Sequence, residues 1–255
     1  MTDEQKFWFD IKGWLLLPAV LSTSEIESVK EHLYNGGNGF TGPAQALLDH
    51  PAVTSILEET LGEWKPDGDY YNFRCENSFV TIRKAGWTPG GTNVPHVVMP
   101  PQRAGAMRYQ SQGGRIYSAL TRVVWELNPV EKGDGGTLFL SGSHKANFDY
   151  PESVVQPDNP GLESYSCPAG SVFIFTESLL HAATPWKNPN LDRVALFNCY
   201  NSLWAQWHRL NLSHDLIEAM PPTRQTLFRG VYAHDFTKKP EEGGNRYYVS
   251  DNRSL

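Results

Sequence analysis

Between about Tyr70 and Tyr200 the chain is a series of short β-rich runs separated by glycine, proline and asparagine. This punctuation is typical of all-β sandwiches and barrels. In the longest run, Arg122 and Glu126 fall on one parity while Val123 and Trp125 fall on the other, which predicts one wetter face. Such alternation indicates a sheet that lines a small cavity. The runs cover residues 78–83, 115–127, 136–140, 170–175 and 193–200.

The two ends of the chain have a different character. The front predicts a short buried strand at residues 13–17 and two helices. The first helix covers residues 22–35, where apolar positions at helical spacing lie between a Ser22–Glu25 capping box and Gly36. The second begins at Pro51 and has one apolar face. After the β-rich part, a tail with a helix near residues 213–220 is predicted to pack back on the barrel.

Composition limits the function classes. A chain of 255 residues with 40% apolar residues suits one large globular domain. A net charge of −6 argues against a nucleic-acid partner. Three widely spaced cysteines indicate buried free thiols in a reducing compartment rather than disulfides or a zinc site. The charged start and the short apolar stretch broken by Pro18 predict a cytoplasmic protein with no membrane partner.

Two motifs in the β-rich part carry a resemblance to a known family. One is Gly-Asp-Gly-Gly-Thr-Leu-Phe-Leu-Ser-Gly-Ser-His-Lys at residues 133–145, and the other is Phe-x-x-x-Leu-x-His at residues 175–181, followed by Arg193. Together they resemble the phytanoyl-CoA dioxygenase-like group of iron and 2-oxoglutarate dependent oxygenases, over residues 9 to about 200. The resemblance implies a mainly β fold with flanking helices, a double-stranded β-helix of the jelly-roll or cupin-like type.

The resemblance also implies roles for individual residues. His181 would be the distal iron ligand, and Arg193 would hold the C5 carboxylate of 2-oxoglutarate. These residue types suit the roles, because neutral imidazole binds iron well and guanidinium grips a carboxylate with two hydrogen bonds. His96 is the best placed proximal ligand, whereas His144 in the Gly-Ser-His piece would belong to a structural turn.

The sequence departs from the family at the expected carboxylate. A non-haem iron site uses two histidines and a carboxylate, usually in a His-x-Asp step, but that step is His96-Val97-Val98 here. Three explanations stay open. Water or chloride could fill the position, as in related halogenases; a carboxylate could come from elsewhere, with Glu177 the leading candidate and Asp134 a weaker one; or the chain has kept the fold and lost iron chemistry.

Each of these residues also has an ordinary structural explanation. His96 follows a proline in a long Gly- and Pro-rich segment, residues 87–114, which is predicted to be a loop over the site. His181 alone would be a core histidine, Arg193 a surface partner of Asp192 or Glu177, and Glu177 a loop carboxylate. The side chains Arg115, Tyr117 and Arg122 would either line the substrate pocket or lie on ordinary strand surfaces.

The expectation is therefore one domain over residues 1–255, with a helical part at about 1–66, a β core at about 70–202 and a tail at about 203–255. Its cofactors would be Fe(II), 2-oxoglutarate and O2, with chloride if it halogenates. The expected reaction is hydroxylation of an aliphatic C–H bond of a small molecule, and halogenation stays open because of Val98. The alternatives are a non-catalytic protein that binds a small acid and a cupin-type metal protein without cosubstrate. The sequence does not indicate an oligomeric state.

Overall fold

The computed structural model describes residues 1–62, 70–90, 95–97, 108–156 and 158–231. Its helices lie at the two ends of the chain, and capping explains where several begin. Both Thr2 and Ser22 form complete capping boxes at the first two helices, and Pro51 occupies the first turn of the third. The α-helices are α1 (Asp3–Lys12), α2 (Thr23–Tyr34), α3 (Pro51–Leu61), α4 (His214–Glu218) and α5 (Pro222–Gln225).

The strands form one large and one small antiparallel sheet, with a separate hairpin. The large sheet has the order β1-β8-β5-β10-β2, the small sheet β7-β6-β9, and the hairpin is β3-β4. The strands are β1 (Trp14–Leu17), β2 (Phe73–Arg83), β3 (Gln110–Gln112), β4 (Arg115–Tyr117), β5 (Thr121–Glu126), β6 (Gly136–Leu140), β7 (Glu163–Ser164), β8 (Ser171–Thr176), β9 (Leu180–Thr184) and β10 (Arg193–Ser202).

The three inner strands of the large sheet, β8, β5 and β10, are buried on both faces. One face carries Val123, Trp125 and Ile174, which belong to a core shared with the flanking helices. The other face carries Val124 and Phe173, which pack with residues of the small sheet and its connections in a second core. Successive residues of a strand point to opposite faces, so one strand such as β5 supplies both cores. The result is the predicted mainly β jelly roll with flanking helices.

Several local predictions need correction. The front of the chain also contains α1, which was not predicted. The short strands β3, β7 and β9 were missed, and the run 115–127 is two strands separated by Ala119, whose φ is 56°. The prediction that one face of this run is exposed to water is wrong, because Arg122 is only 8% exposed and Glu126 is fully buried.

The predictions for the helix at residues 22–35, the helix that begins at Pro51, the strand at residues 13–17 and the helix near residues 213–220 are confirmed in position. All three cysteines are buried and free, as predicted. None of the helices in the described ranges is long and apolar enough to cross a membrane. Much of the segment 87–114, including Val98, and the end of the tail lie outside the described residues, so the predicted loop over the site stays a prediction.

Candidate metal centre

The backbone brings His96 and His181 together. The two residues form an isolated antiparallel bridge, in which each N–H donates to the other carbonyl at 2.9 Å. Residues that face each other in such a bridge point their side chains to the same side. Their imidazole rings accordingly lie 4.7 Å apart between centroids. The histidine pair that the family resemblance implies is therefore brought together by pairing with β9.

A backbone carbonyl fixes the protonation pattern of the His181 ring. Its Nδ1 lies 2.7 Å from the carbonyl oxygen of Leu179. Since a carbonyl oxygen only accepts, Nδ1 carries a proton and donates it. The other nitrogen, Nε2, is then the atom available to bind a metal ion. This backbone bond orients the ring in the way that outer partners orient metal-binding histidines.

Glu177 lies in the short connection between β8 and β9 and places its carboxylate beside His181. Its Oε2 is 3.3 Å from His181 Nε2, and the residue is only 1% exposed. Its Oε1 accepts a hydrogen bond from Arg122 Nε at 2.5 Å. Burial alone would raise the pKa of Glu177, but the charge of Arg122 and the hydrogen bond from its guanidinium hold that pKa below its ordinary value. The carboxylate is thus ionised and held in one orientation.

Glu177 and His181 are placed to bind the same divalent metal ion. Glu177 Oε2 is buried and accepts no hydrogen bond from the residues that the structure describes. Two ligand atoms that bind one ion at ~2.1 Å, at right angles, lie ~3 Å apart. The separation of 3.3 Å between Oε2 and His181 Nε2 is close to that value. Two imidazoles and one carboxylate are the ligands of non-haem iron sites.

Arg193 lies at the start of β10 in a buried ion pair that the sequence did not predict. Its Nη2 donates to Glu126 Oε1 at 2.5 Å and to the Tyr165 hydroxyl at 3.1 Å. The partner is thus neither Asp192 nor Glu177, and the residue is only 1% exposed rather than at the surface. Its Nη1 has no hydrogen-bond partner within the described part of the chain. One N–H group of the predicted carboxylate clamp therefore stays available.

The remaining predicted residues lie in different places. Arg122 reaches the site, although as the partner of Glu177 rather than as a free charge. Arg115 and Tyr117 lie on the β3-β4 hairpin, where the Tyr117 ring stacks on Trp204 at 5.5 Å. Asp134, the weaker carboxylate candidate, accepts bonds from Glu131 N and Asn188 Nδ2 in a turn.

The inner face beside Arg122 is open on the β2 side. Phe79 is 41% exposed, and its ring stacks on Phe197 at 4.6 Å. The Arg122 guanidinium lies 5.2 Å from the centre of the Phe79 ring. Solvent therefore reaches an aromatic wall next to the ion pair that holds Glu177.

Sequence reasoning missed a group of three ligand-type atoms elsewhere in the described residues. Glu76, Cys199 and His208 place one such atom each within 4.8 Å of one another. Both Trp207 N and His208 N donate to Glu76 Oε2, at 2.7 Å and 3.3 Å. Burial raises the pKa of the Cys199 thiol well above its ordinary value. With its carboxylate occupied by backbone N–H groups, Glu76 anchors the start of the tail to β2.

Comparison with solved structures finds several proteins that share this fold. HygX from Streptomyces hygroscopicus, solved with nickel and 2-oxoglutarate bound, is 20% identical with a TM-score of 0.65, covering 85% of this chain and 93% of that chain. SnoK, a non-haem α-ketoglutarate dependent carbocyclase from nogalamycin biosynthesis, is 17% identical with a TM-score of 0.54, covering 87% and 92%. HygX has also been solved with iron bound. At these identities the likeness shows the shared fold.

No family model and no curated protein matches the sequence. The resemblance to the phytanoyl-CoA dioxygenase-like group therefore stays a prediction.

Proposed function

We propose that the protein is an Fe(II) and 2-oxoglutarate dependent oxygenase in which His96, His181 and Glu177 hold the metal. The observation that carries the proposal is the buried Glu177 Oε2, which faces His181 Nε2 at 3.3 Å without accepting a hydrogen bond from the described residues. The fold shared with HygX, which was solved with nickel, 2-oxoglutarate and hygromycin B bound, supports both the cofactors and a small-molecule substrate.

The chain's own residues would orient these components. The Leu179 carbonyl sets the His181 tautomer, and Arg122 holds Glu177 so that Oε2 stays directed at the histidine. Outer partners of this kind typically change metal affinity about 10–100-fold when they are removed. Iron with 2-oxoglutarate and O2 would supply oxidative decarboxylation to succinate and oxidation of a substrate C–H bond. The aromatic wall at Phe79 and Phe197 would hold the substrate.

Glu177 favours hydroxylation over halogenation. Halogenation needs a metal position that a halide can occupy in place of a protein carboxylate. With Glu177 as the third ligand, the change from aspartate to Val98 does not leave that position open. We therefore place the enzyme with the hydroxylases, acting on an aliphatic C–H bond of a small molecule in the cytoplasm.

The test is an anaerobic Fe(II) titration in which calorimetry measures the affinity for the ion. Glu177→Gln is compared with wild type. Loss of a direct ligand should weaken Fe(II) binding by more than the about 100-fold that marks the upper range for outer partners. The exposed Glu131→Gln is the matched control and should bind Fe(II) as wild type does. Addition of 2-oxoglutarate to the wild-type complex should produce a weak visible charge-transfer band.

Because Glu177→Gln also leaves Arg122 without its partner, a second variant separates folding from binding. Breaking a buried ion pair from one side costs about 3–5 kcal/mol of stability, whereas replacing both partners costs far less. The double variant Arg122→Met with Glu177→Gln should be more stable than Glu177→Gln alone, but it should still bind Fe(II) weakly. If Glu177→Gln binds Fe(II) as tightly as wild type while His96→Ala and His181→Ala do not, Glu177 is not a ligand.

A second candidate is a non-catalytic protein that binds a small acid. This candidate is favoured by two tight ion pairs at the site, Arg122 with Glu177 and Arg193 with Glu126. Within each pair the arginine balances the charge of the carboxylate, so no metal ion is needed to do so. Such a protein would show no charge-transfer band with Fe(II) and 2-oxoglutarate. A cupin-type metal protein would bind the ion and give no spectral response to the keto acid.

A further inference from the structure

Two arginines face each other at one end of the large sheet. Arg83, the last residue of β2, is the direct register partner of Arg193, the first residue of β10. Directly opposite residues of an antiparallel pair point to the same face of the sheet. Like charges in this arrangement are destabilising. A reason is therefore needed for a second cation at this point.

Among the described residues, only one of the two charges has a counter-ion. Arg193 is paired with Glu126 and also donates to Tyr165. Arg83 is only 9% exposed, yet its Nε and Nη1 have no hydrogen-bond partner among the residues described. Its guanidinium instead lies 3.9 Å from the centre of the Trp87 ring. The group of Arg83, Arg193 and Glu126 thus keeps one excess positive charge in a buried place.

The surroundings of Arg83 act against its charge. Burial, and then the nearby charge of Arg193, lower the pKa of Arg83 to about 10. A stacked aromatic ring compensates a buried cation only in part, since cation–π contacts contribute about 0.5–2 kcal/mol. The N–H groups left without acceptors come from both arginines: Nε and Nη1 of Arg83, and Nη1 of Arg193. A carboxylate has the charge and the acceptor oxygens that these groups lack.

We infer that Arg83 and Arg193 together form the carboxylate site of the protein, with Arg83 supplying the free charge and Glu126 acting as the fixed counter-ion that orients Arg193. The inference rests on the proposed function in taking this carboxylate to be the distal carboxylate of 2-oxoglutarate. It changes the role that the resemblance implies for Arg193, which now shares the ligand with a residue from β2.

The experiment measures binding of 2-oxoglutarate, and of glutarate as a probe without the keto group, to the metal-free full-length protein by tryptophan fluorescence and calorimetry. The variant Arg83→Gln should raise the Kd for both ligands by about 30-fold or more. This is the range expected when one partner of a buried charge pair is lost. Lys84→Gln is the matched control, because it removes the same charge from a side chain that is 81% exposed. The control should bind as wild type does.

Two further readouts separate ligand binding from a structural role. In wild type the ligand should change the emission of Trp87, and this change should be missing in Trp87→Phe. Without ligand, Arg83→Gln should have the same Tm as Lys84→Gln or a higher one, because it removes an uncompensated buried charge. A lower Tm together with unchanged affinity would show that Arg83 only supports packing, and the inference would be wrong.

The outcomes for iron and for the arginine pair are distinguishable. A protein that binds 2-oxoglutarate through Arg83 but gives no charge-transfer band with Fe(II) refutes the proposed function and leaves the carboxylate site standing. A protein that gives the band, and whose Arg83→Gln variant binds 2-oxoglutarate as tightly as wild type, refutes the carboxylate site and leaves the oxygenase standing. No binding of either dicarboxylate to wild type also refutes the site.

Discussion

His144 is a buried histidine that the surrounding residues keep neutral. Its Nε2 donates to the Asp10 carbonyl oxygen at 3.0 Å, and the residue is 2% exposed. Its Nδ1 has no partner in the described part of the chain and lies against Gly13, where an added Cβ would be 2.5 Å away. A second proton on Nδ1 would therefore be buried without an acceptor. Burial lowers the pKa of His144 to about 4.

This pKa predicts an acid-sensitive contribution to stability. The folded protein binds fewer protons at His144 than the unfolded chain does between pH ~6.5 and pH ~4, so the contribution is complete above that window and is lost as the pH falls through it. At pH ~4.5 the loss should be about 2–3 kcal/mol. Urea unfolding at pH 7.5 and 4.5 measures it. The same pH change should lower the free energy of unfolding of His144→Gln by about 2–3 kcal/mol less than that of wild type. Equal losses in wild type and His144→Gln would contradict the assignment.

For a single residue, the chemical role is easier to predict from the sequence than the residue with which it pairs. The two histidines could be singled out through the resemblance to a known family, and Glu177 because it is a carboxylate four residues before His181. The buried pair of Arg193 and Glu126 could not be predicted, because it depends on the alignment of β10 with β5 across 67 positions of sequence. For the same reason, the proximity of Arg83 to Arg193 becomes apparent only once the strands are in register.

The turn before β6 illustrates how an element depends on glycine. Gly135 has a φ of 113°, and an added Cβ would overlap the carbonyl oxygen of Pro185, the residue that follows β9. Gly133 has a similar φ of 94°, but nothing lies within 4 Å of its Cβ position. Because β6 pairs with the strand that carries His181, this close approach helps to position His181.

The comparison of Gly135→Ala with Gly133→Ala isolates that close approach. Both substitutions put alanine at positive φ, which costs about 1–2 kcal/mol. Only Gly135→Ala also forces β6 away from Pro185, so its free energy of unfolding should fall by at least about 1 kcal/mol more, the lower end of the usual cost of overpacking. Urea denaturation of both variants tests this. Equal losses would show that the turn can shift without cost.

Element prediction worked where local signals are strong. The capping box at Ser22 and the proline at residue 51 mark helix starts through bonds made within a few residues. Strands of two to five residues such as β7 and β9 have too few positions to show a period, and their pairing partners lie far away in sequence. The break at Ala119 was missed because alanine gives no sign of a positive φ.

At the scale of the whole molecule, the tail packs into the same core as the barrel. Phe228 is 1% exposed and contacts Phe40 with 6.0 Å between ring centroids. Arg224 forms an ion pair with Asp49 at 2.8 Å, and Glu76 binds the backbone at Trp207. Helices near both ends of the described chain are thus tied to the outer face of the large sheet. The strand order β1-β8-β5-β10-β2 could not be predicted from the sequence pattern, since adjacent strands in it are far apart in the chain.

This packing predicts that the tail and the barrel unfold together. Phe228→Ala should cost about 3–5 kcal/mol, as large-to-small changes in a core do. For a chain of this size the loss corresponds to a Tm lower by about 10 °C. Phe148→Ala is the matched control, because Phe148 is 84% exposed and its loss should stay within about 0.5 kcal/mol. Calorimetry should show one transition that moves as a whole in Phe228→Ala. If an early transition appeared while the main one kept its Tm, the tail would be a separate unit that only rests on the barrel.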